Sequence, residues 1–364
     1  ALIIDPAYLE ICEKFVKTPT LLDDAFARAW YKLIHRDMGP RNRLLGADVP
    51  TETLVWQDPI PTLDHELVSE ANIKELKSKV LETGQSISAL VSSAWGSAST
   101  FRKTDLRGGA NGARIRLKPM VDWEVNNPNQ LRSVLTSLEA VQQSFNDSET
   151  GNKRISMADL IVLSGCAAIE KAAADAGVDV IVPFVPGRMD ALIEQTDEHN
   201  ISSLEPHADG FRNFSKGNYA VETERMLIDR AHLLDLSAPE MTALVGGLRV
   251  LDTNFDGSKH GVFTNKPGVL TNDFFVNLLD IGLKWAPIDE DKEIFEGKDT
   301  GTGDTRWTAT RSDLIFGSNL QLRAVSEIYG SAVGHARFVD AFVNAWHKMM
   351  MLDRFELENE MYRS

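Results

Sequence analysis

Two stretches far apart in this 364-residue chain repeat one another. Aligned without a gap, residues 24–37 and 340–353 share seven of fourteen positions: Asp24, Ala25, Phe26, Ala29, Trp30, Lys32 and Asp37 match Asp340, Ala341, Phe342, Ala345, Trp346, Lys348 and Asp353. The offset, 340 minus 24, is 316 residues. That is far beyond the period of a solenoid or a propeller blade and is the length of a whole domain. The pattern predicts the last helix of one domain followed by one entire copy of a similar domain. Such a chain is a fragment, or the second half of a tandem duplication, and its chemistry has room to lie in the other copy.

Composition limits the alternatives. Apolar residues make up 43% and charged residues 25%, values of a globular protein with a substantial core. Two or three domains fit the length, and one large domain is possible. The net charge of −15 repels phosphate backbones and anionic lipid, so no nucleic-acid or membrane partner is expected. No stretch reaches the eighteen or so apolar residues of a membrane span. Cys12 and Cys166 form no ligand pair, and Cys166, inside the apolar run 160–169, reads as a buried inert thiol. This usage suits a reducing compartment and a cytoplasmic location.

Helical spacing is present from the start. Asp5-Pro6 and Thr18-Pro19 open two helices within residues 1–35. Residues 36–63 lose periodicity and are rich in Pro, Gly, Asp and Arg, which marks a linker between a terminal helical segment (1–35) and a domain over 64–364. Helices are predicted at 66–82, 86–101, 130–145, 156–176, 189–196, 222–233, 238–250, 271–281, 311–329 and 334–352. Ser237 with Glu240 reads as a capping box, and Ser156 as a second helix start. Strands are predicted at 179–184 and in one hairpin, 284–286 with 306–308, turning at 299–306. The class is mainly α with a minor β-hairpin.

Chemistry-bearing motifs are scarce. His35-Arg36-Asp37 with Asn42 fits a kinase catalytic loop only superficially, because 34 residues precede His35 and no nucleotide-binding lobe can be built from them. The glycine-rich run 108–113 lacks the lysine of a phosphate-binding loop and follows no strand, so it reads as a tight turn between a helix and a basic strand. The eight histidines show no metal-ligand spacing, and no metal site is expected.

Two further stretches change the reading. Ser93 to Arg102 followed by Arg107 to Arg114 resembles the distal haem helix and following loop of class I haem peroxidases, and Met241 to Leu248 resembles their proximal helix. With Arg188, residues 208–213, 270–275, 316–319 and 352–355, essentially the whole chain resembles the C-terminal part of a catalase-peroxidase, a family built from a duplicated peroxidase domain. The resemblance implies a plant-type haem-peroxidase fold in a degenerate copy.

The departures from the family pattern set the expected function. Active distal helices carry Arg-x-x-Trp-His; here Trp95 is kept, Ser92 stands for the Arg and Gly96 for the His. Leu248 stands where the proximal His would ligate iron and offers it no lone pair. This copy is therefore expected to hold no cofactor. Haem b is implied for the N-terminal half, which acts on hydrogen peroxide, with this chain as its structural partner and a homodimer as the assembly. Arg36 matches the family's mobile arginine, which swings toward a cross-linked tyrosine of the haem domain; alternatively it is a surface arginine paired with Asp37 or another carboxylate. Two other readings stay open. One is an independent small-ligand or protein-binding module on an inactive peroxidase fold, and the other is weak haem binding through Arg249 or a nearby histidine.

Overall fold

The computed structural model describes residues 2–217 and 220–357. Two helices come first, α1 (Pro6–Lys17) and α2 (Pro19–His35), each opened by proline at its first turn, with Asp5 accepting the Ala7 amide at 2.9 Å. Neither helix buries a residue. An irregular segment with short 3-10 turns at Arg41–Arg43 and Val55–Gln57 leads to the rest of the chain.

The body is a stack of helices: α3 (Glu70–Glu82), α4 (Ile87–Ala98), α5 (Pro128–Ser148), α6 (Met157–Asp175), the short α7 (Glu198–Ile201), α8 (Thr223–Leu233), α9 (Ala238–Val250), α10 (Asp273–Leu278), α11 (Arg311–Ser318), α12 (Leu320–Tyr329) and α13 (Gly334–Met351). α6 is buried without a break from Met157 to Ile169, as a helix apolar on every side must be. It packs chiefly on α4, and Gly165 permits the approach: a Cβ there would stand 2.6 Å from the Ala94 methyl and 2.8 Å from the Trp346 ring. Cys166 lies in the same wall, its thiol pushed up to about 12 by burial. α9 packs on α13 in the same way, with a Cβ on Gly247 falling 2.2 Å from the Phe342 ring. Its capping box is the one read from sequence, with Ser237 donating its amide to Glu240 Oε2 at 2.7 Å.

Several sequence expectations are corrected. The predicted hairpin is a three-stranded antiparallel sheet, β3 (Leu283–Pro287), β4 (Ile294–Asp299) and β5 (Thr305–Thr310), in the order β3-β4-β5. β4 was not foreseen: Glu296, Gly297 and Lys298 are poor strand formers, but the Gly297 backbone is where the Trp285 ring lies, 2.9 Å from a virtual Cβ. A two-residue pair, β1 (Ala208–Asp209) with β2 (Phe214–Ser215), is also additional. Residues 179–184 form no strand, since the Val182 amide bonds the Glu170 carboxylate rather than a neighbouring strand. The helix predicted at 189–196 shrinks to the turn Ile193–Gln195. The Asp190 carboxylate there caps α6 through the Met157 and Ala158 amides, both 2.8 Å, and Gly112 draws the segment into a bridge. The single helix predicted over 311–329 breaks at Asn319, whose side chain accepts the Gln321 and Leu322 amides and starts α12. The glycine loop leads into a 3-10 turn, Arg114–Arg116, rather than a strand.

The repeated segments fall on the helices α2 and α13, and each stacks its aromatic pair at spacing i, i+4. Phe342 and Trp346 are 6.2 Å apart at 20° and fully buried. Phe26 and Trp30 are 6.1 Å apart at 13°, yet 64% and 53% exposed. One pattern is therefore seen with its core and once without.

Gly247→Ala is expected to destabilise the fold by about 1–3 kcal/mol through overpacking against Phe342. Gly151→Ala, whose Cβ meets nothing within 4 Å, should stay within about 0.5 kcal/mol of the parent. Denaturant unfolding of the pair checks the contrast.

Candidate functional site

α4 carries Ser92, Trp95 and Gly96, and α9 carries Leu248 and Arg249. Ser92 is half-buried, while Trp95, Leu248 and Arg249 are fully buried. Phe211 joins the two helices: its ring lies 4.9 Å from that of Trp95, and its carbonyl accepts Arg249 Nη1 at 2.7 Å. On its other side Trp95 meets Trp346 at 6.3 Å.

The space beside Gly96 is taken. A Cβ there would stand 3.0 Å from Asn126 Oδ1, 3.1 Å from Ile115 Cδ1 and 3.3 Å from Arg212 Nη1. The Arg212 guanidinium is fixed by Asp209 (2.7 Å), the Val125 carbonyl (3.0 Å) and Asn126 (2.9 Å). Asp209 also accepts the Trp95 indole N–H at 3.2 Å. Burial alone would raise the Asp209 carboxyl, but the charges of Arg212 and Arg230 and the hydrogen bonds from Arg212 and Trp95 hold it below the usual range. Arg230 shares this pocket with no partner for Nε or Nη2, and burial pushes it down to about 10 against the pull of Asp209.

The α9 side is closed as well. A Cβ on Gly246 would lie 2.3 Å from the Phe275 ring. Each nitrogen of Arg249 is bonded, donating to Asp313 Oδ1 (2.8 Å), Phe211 O (2.7 Å), Gly210 O (2.7 Å) and Asn213 Oδ1 (2.6 Å). A haem does not fit here. Positions 92, 96 and 248 supply a hydroxyl, a hydrogen and an isobutyl group, and the neighbouring volume holds Arg212, Asn126 and Phe211. Four of the five N–H groups of the Arg249 guanidinium are already bonded within the protein. Among the described residues, no group of three or more His, Cys, Asp or Glu is placed to hold a metal ion.

Arg36 lies elsewhere, just past the end of α2. It is exposed, and its Nη2 donates to Asn200 Oδ1 at 2.9 Å rather than to Asp37. His35 packs on the Tyr31 ring at 4.3 Å. The glycine-rich loop wraps a carboxylate of its own chain: Asn111 N donates to Asp353 Oδ2 at 2.6 Å, and a Cβ on Gly109 would fall 2.3 Å from that oxygen.

Comparison with known proteins accords with this architecture. The model of the family described as Peroxidase matches residues 24–332. The chain belongs to the peroxidase family. Catalase-peroxidases of Syntrophotalea carbinolica and Methanosarcina acetivorans are each 60% identical to it over 353 residues, covering 97% of this chain and 48% of theirs. The catalase-peroxidase of Burkholderia multivorans is 60% identical over 357 residues, 98% of this chain and 49% of its own. The chain thus spans about half the length of the curated relatives it matches. Within this peroxidase-family chain no helix among the described residues is long and apolar enough to cross a membrane.

Sequence reasoning singled out Trp95, Gly96 and Leu248 but not the groups that pack beside them. Asp209 and Arg212 lie more than a hundred residues from Gly96, and only their place beside Phe211, two charges flanking an aromatic residue, hinted at a buried ion pair.

Asp209→Asn leaves Arg212 and Arg230 buried without a counter-ion and should cost about 3–5 kcal/mol. The native carboxyl titrates below its unfolded value, so its contribution is present above about pH 4 and is lost as pH falls through the native pKa. Urea unfolding from pH 7 to pH 3 should show less loss of stability on acidification in Asp209→Asn than in the parent.

Proposed function

We propose that this chain is the C-terminal part of a bifunctional catalase-peroxidase that decomposes hydrogen peroxide. In this reading it is a haem-free structural copy, and it supports a haem b site in the N-terminal half. The observation that carries it is the paired fate of one motif. Phe342 and Trp346 on α13 are buried against Gly247, Gly165 and Trp95, while the matching Phe26 and Trp30 on α2 stand in solvent. Leu22, Leu33 and Ile34 are exposed beside them. An apolar face of this size marks an interaction surface, and α13 shows the kind of core such a face fits: a peroxidase-like body with glycine on the opposing helices. The half-length coverage of relatives named catalase-peroxidase supports the same partner.

Arg36 is the residue of this chain assigned to the chemistry, as the mobile arginine. A guanidinium brought beside a phenol of the haem-bearing half favours the phenolate and lowers its pKa. The bond to Asn200 holds it on this side of the boundary. A homodimer and a cytoplasmic location complete the assignment, the latter on the two free thiols.

Two measurements on the complete enzyme test this. Arg36→Ala is expected to lower catalase activity about tenfold or more, since one pKa unit of the phenol is a tenfold change in phenolate, and to leave peroxidase activity within about twofold. Equal loss of both would reject the role. Haem content should be one per polypeptide; two would show that this copy binds haem after all.

A further inference from the structure

Where the irregular segment after α2 crosses the body, the chain forms a partly open cavity of about 50 Å³, several times the space one buried water needs. Gln57, Asp58, Arg107, Arg114 and Asp353 border it, with the exposed Arg36 on its rim. Gln57, Arg107, Arg114 and Asp353 are each more than nine-tenths buried.

The charges here do not balance. Arg107 is answered by Asp58 through two bonds, Nε to Oδ2 at 2.6 Å and Nη2 to Oδ1 at 3.1 Å. Arg114 has no such answer. Its Nη2 donates to two backbone carbonyls, Pro59 at 2.7 Å and Gln195 at 3.2 Å, and its Nε has no partner. Gln57 gives its amide N–H to the Tyr31 hydroxyl at 3.2 Å, and its Oε1 is also unpartnered. Among the lining residues three guanidinium groups (Arg36, Arg107, Arg114) stand against two carboxyl groups (Asp58, Asp353); Asp105 and Asp197 add negative charge near Arg107, while Arg114 has the like charges of Arg107 and Arg116 beside it. Asp353 is a weak counter-ion, because burial pushes its carboxyl up and its Oδ2 is already bonded to the Asn111 amide.

A buried guanidinium without a counter-ion is costly. Water would satisfy a hydrogen bond but not the charge, and a cation is repelled by the three arginines. The volume excludes a nucleotide or any bulky organic acid. We propose that this cavity binds a small monovalent anion, of the halide or small-oxyanion class, with the Arg114 guanidinium as its main donor. The anion neutralises Arg114 at the place where residues 57–59 cross the body, so the site fastens that segment down. It does so whether or not Arg36 acts on a partner domain.

Bromide is the probe. Crystals of the intact protein soaked in sodium bromide should show an anomalous peak in the cavity within hydrogen-bond distance of the Arg114 guanidinium, and Arg114→Gln should lose it. Water density alone, or bromide confined to the surface, overturns the proposal; the parent crystal decides this even if the variant does not fold. In solution the melting temperature should rise by a few degrees in bromide over gluconate at equal ionic strength, as expected when a ligand binds only the native state. Equal melting temperatures in the two salts overturn it as well.

Discussion

Arg249 and Asp313 hold three distant parts of this chain in one place. The pair is wholly buried, and such a pair is stable only when its remaining donors and acceptors are also used. Here they are. Arg249 spends three of its other four N–H groups on Gly210, Phe211 and Asn213, while Asp313 accepts the Thr310 amide and hydroxyl at the head of α11. The pair thereby ties α9 to the 210–213 segment and to the end of β5. That segment delivers Phe211 to the face of Trp95 and Arg212 to the space beside Gly96. The closure of the site is thus set from α9, through a bond that Leu248 itself does not make.

The same logic explains the small residues around it. Gly246 and Gly247 present bare backbone to Phe275 and Phe342, and Gly165 does so to Ala94 and Trp346. Helix axes close to this distance only where one partner has no side chain, and the aromatic rings then supply the packing density an interior requires. Ring contacts run on from Trp346 through Phe342 and Phe338 to Phe275, Phe274 and Phe263, and reach Trp285 of the small sheet. The sheet therefore rests on the aromatic core rather than beside it.

Much of this was legible in the sequence where the signal is local. The capping residues Ser156 and Ser237 start their helices where the pattern placed them, and the α2–α13 repeat is a repeat of structure as well. What was not legible depends on distant partners. Residues 189–196 have helical spacing, yet Asp190 is needed as the cap of α6 and Gly112 claims the backbone at Met189 and Ala191. β4 has poor strand propensity and exists because a strand lies on each side of it. At the site, the sequence reading singled out positions 92, 96 and 248. It could not show that Arg212, Asn126 and Ile115 converge on the space beside Gly96, since they come from three separate segments.

The way the volume beside Gly96 is filled makes its size hard to change. A pocket that is merely missing a side chain can be restored by one substitution. This one has been occupied by groups with commitments of their own: Arg212 is held by Asp209, Asp209 by Trp95, and Asn126 by the Met120 carbonyl it donates to. A larger residue at position 96 has to displace Asn126, Ile115 or Arg212, two of which are held by buried bonds. Substitutions on the surface meet no such linked bonds, so this space is among the parts of the chain least free to change size.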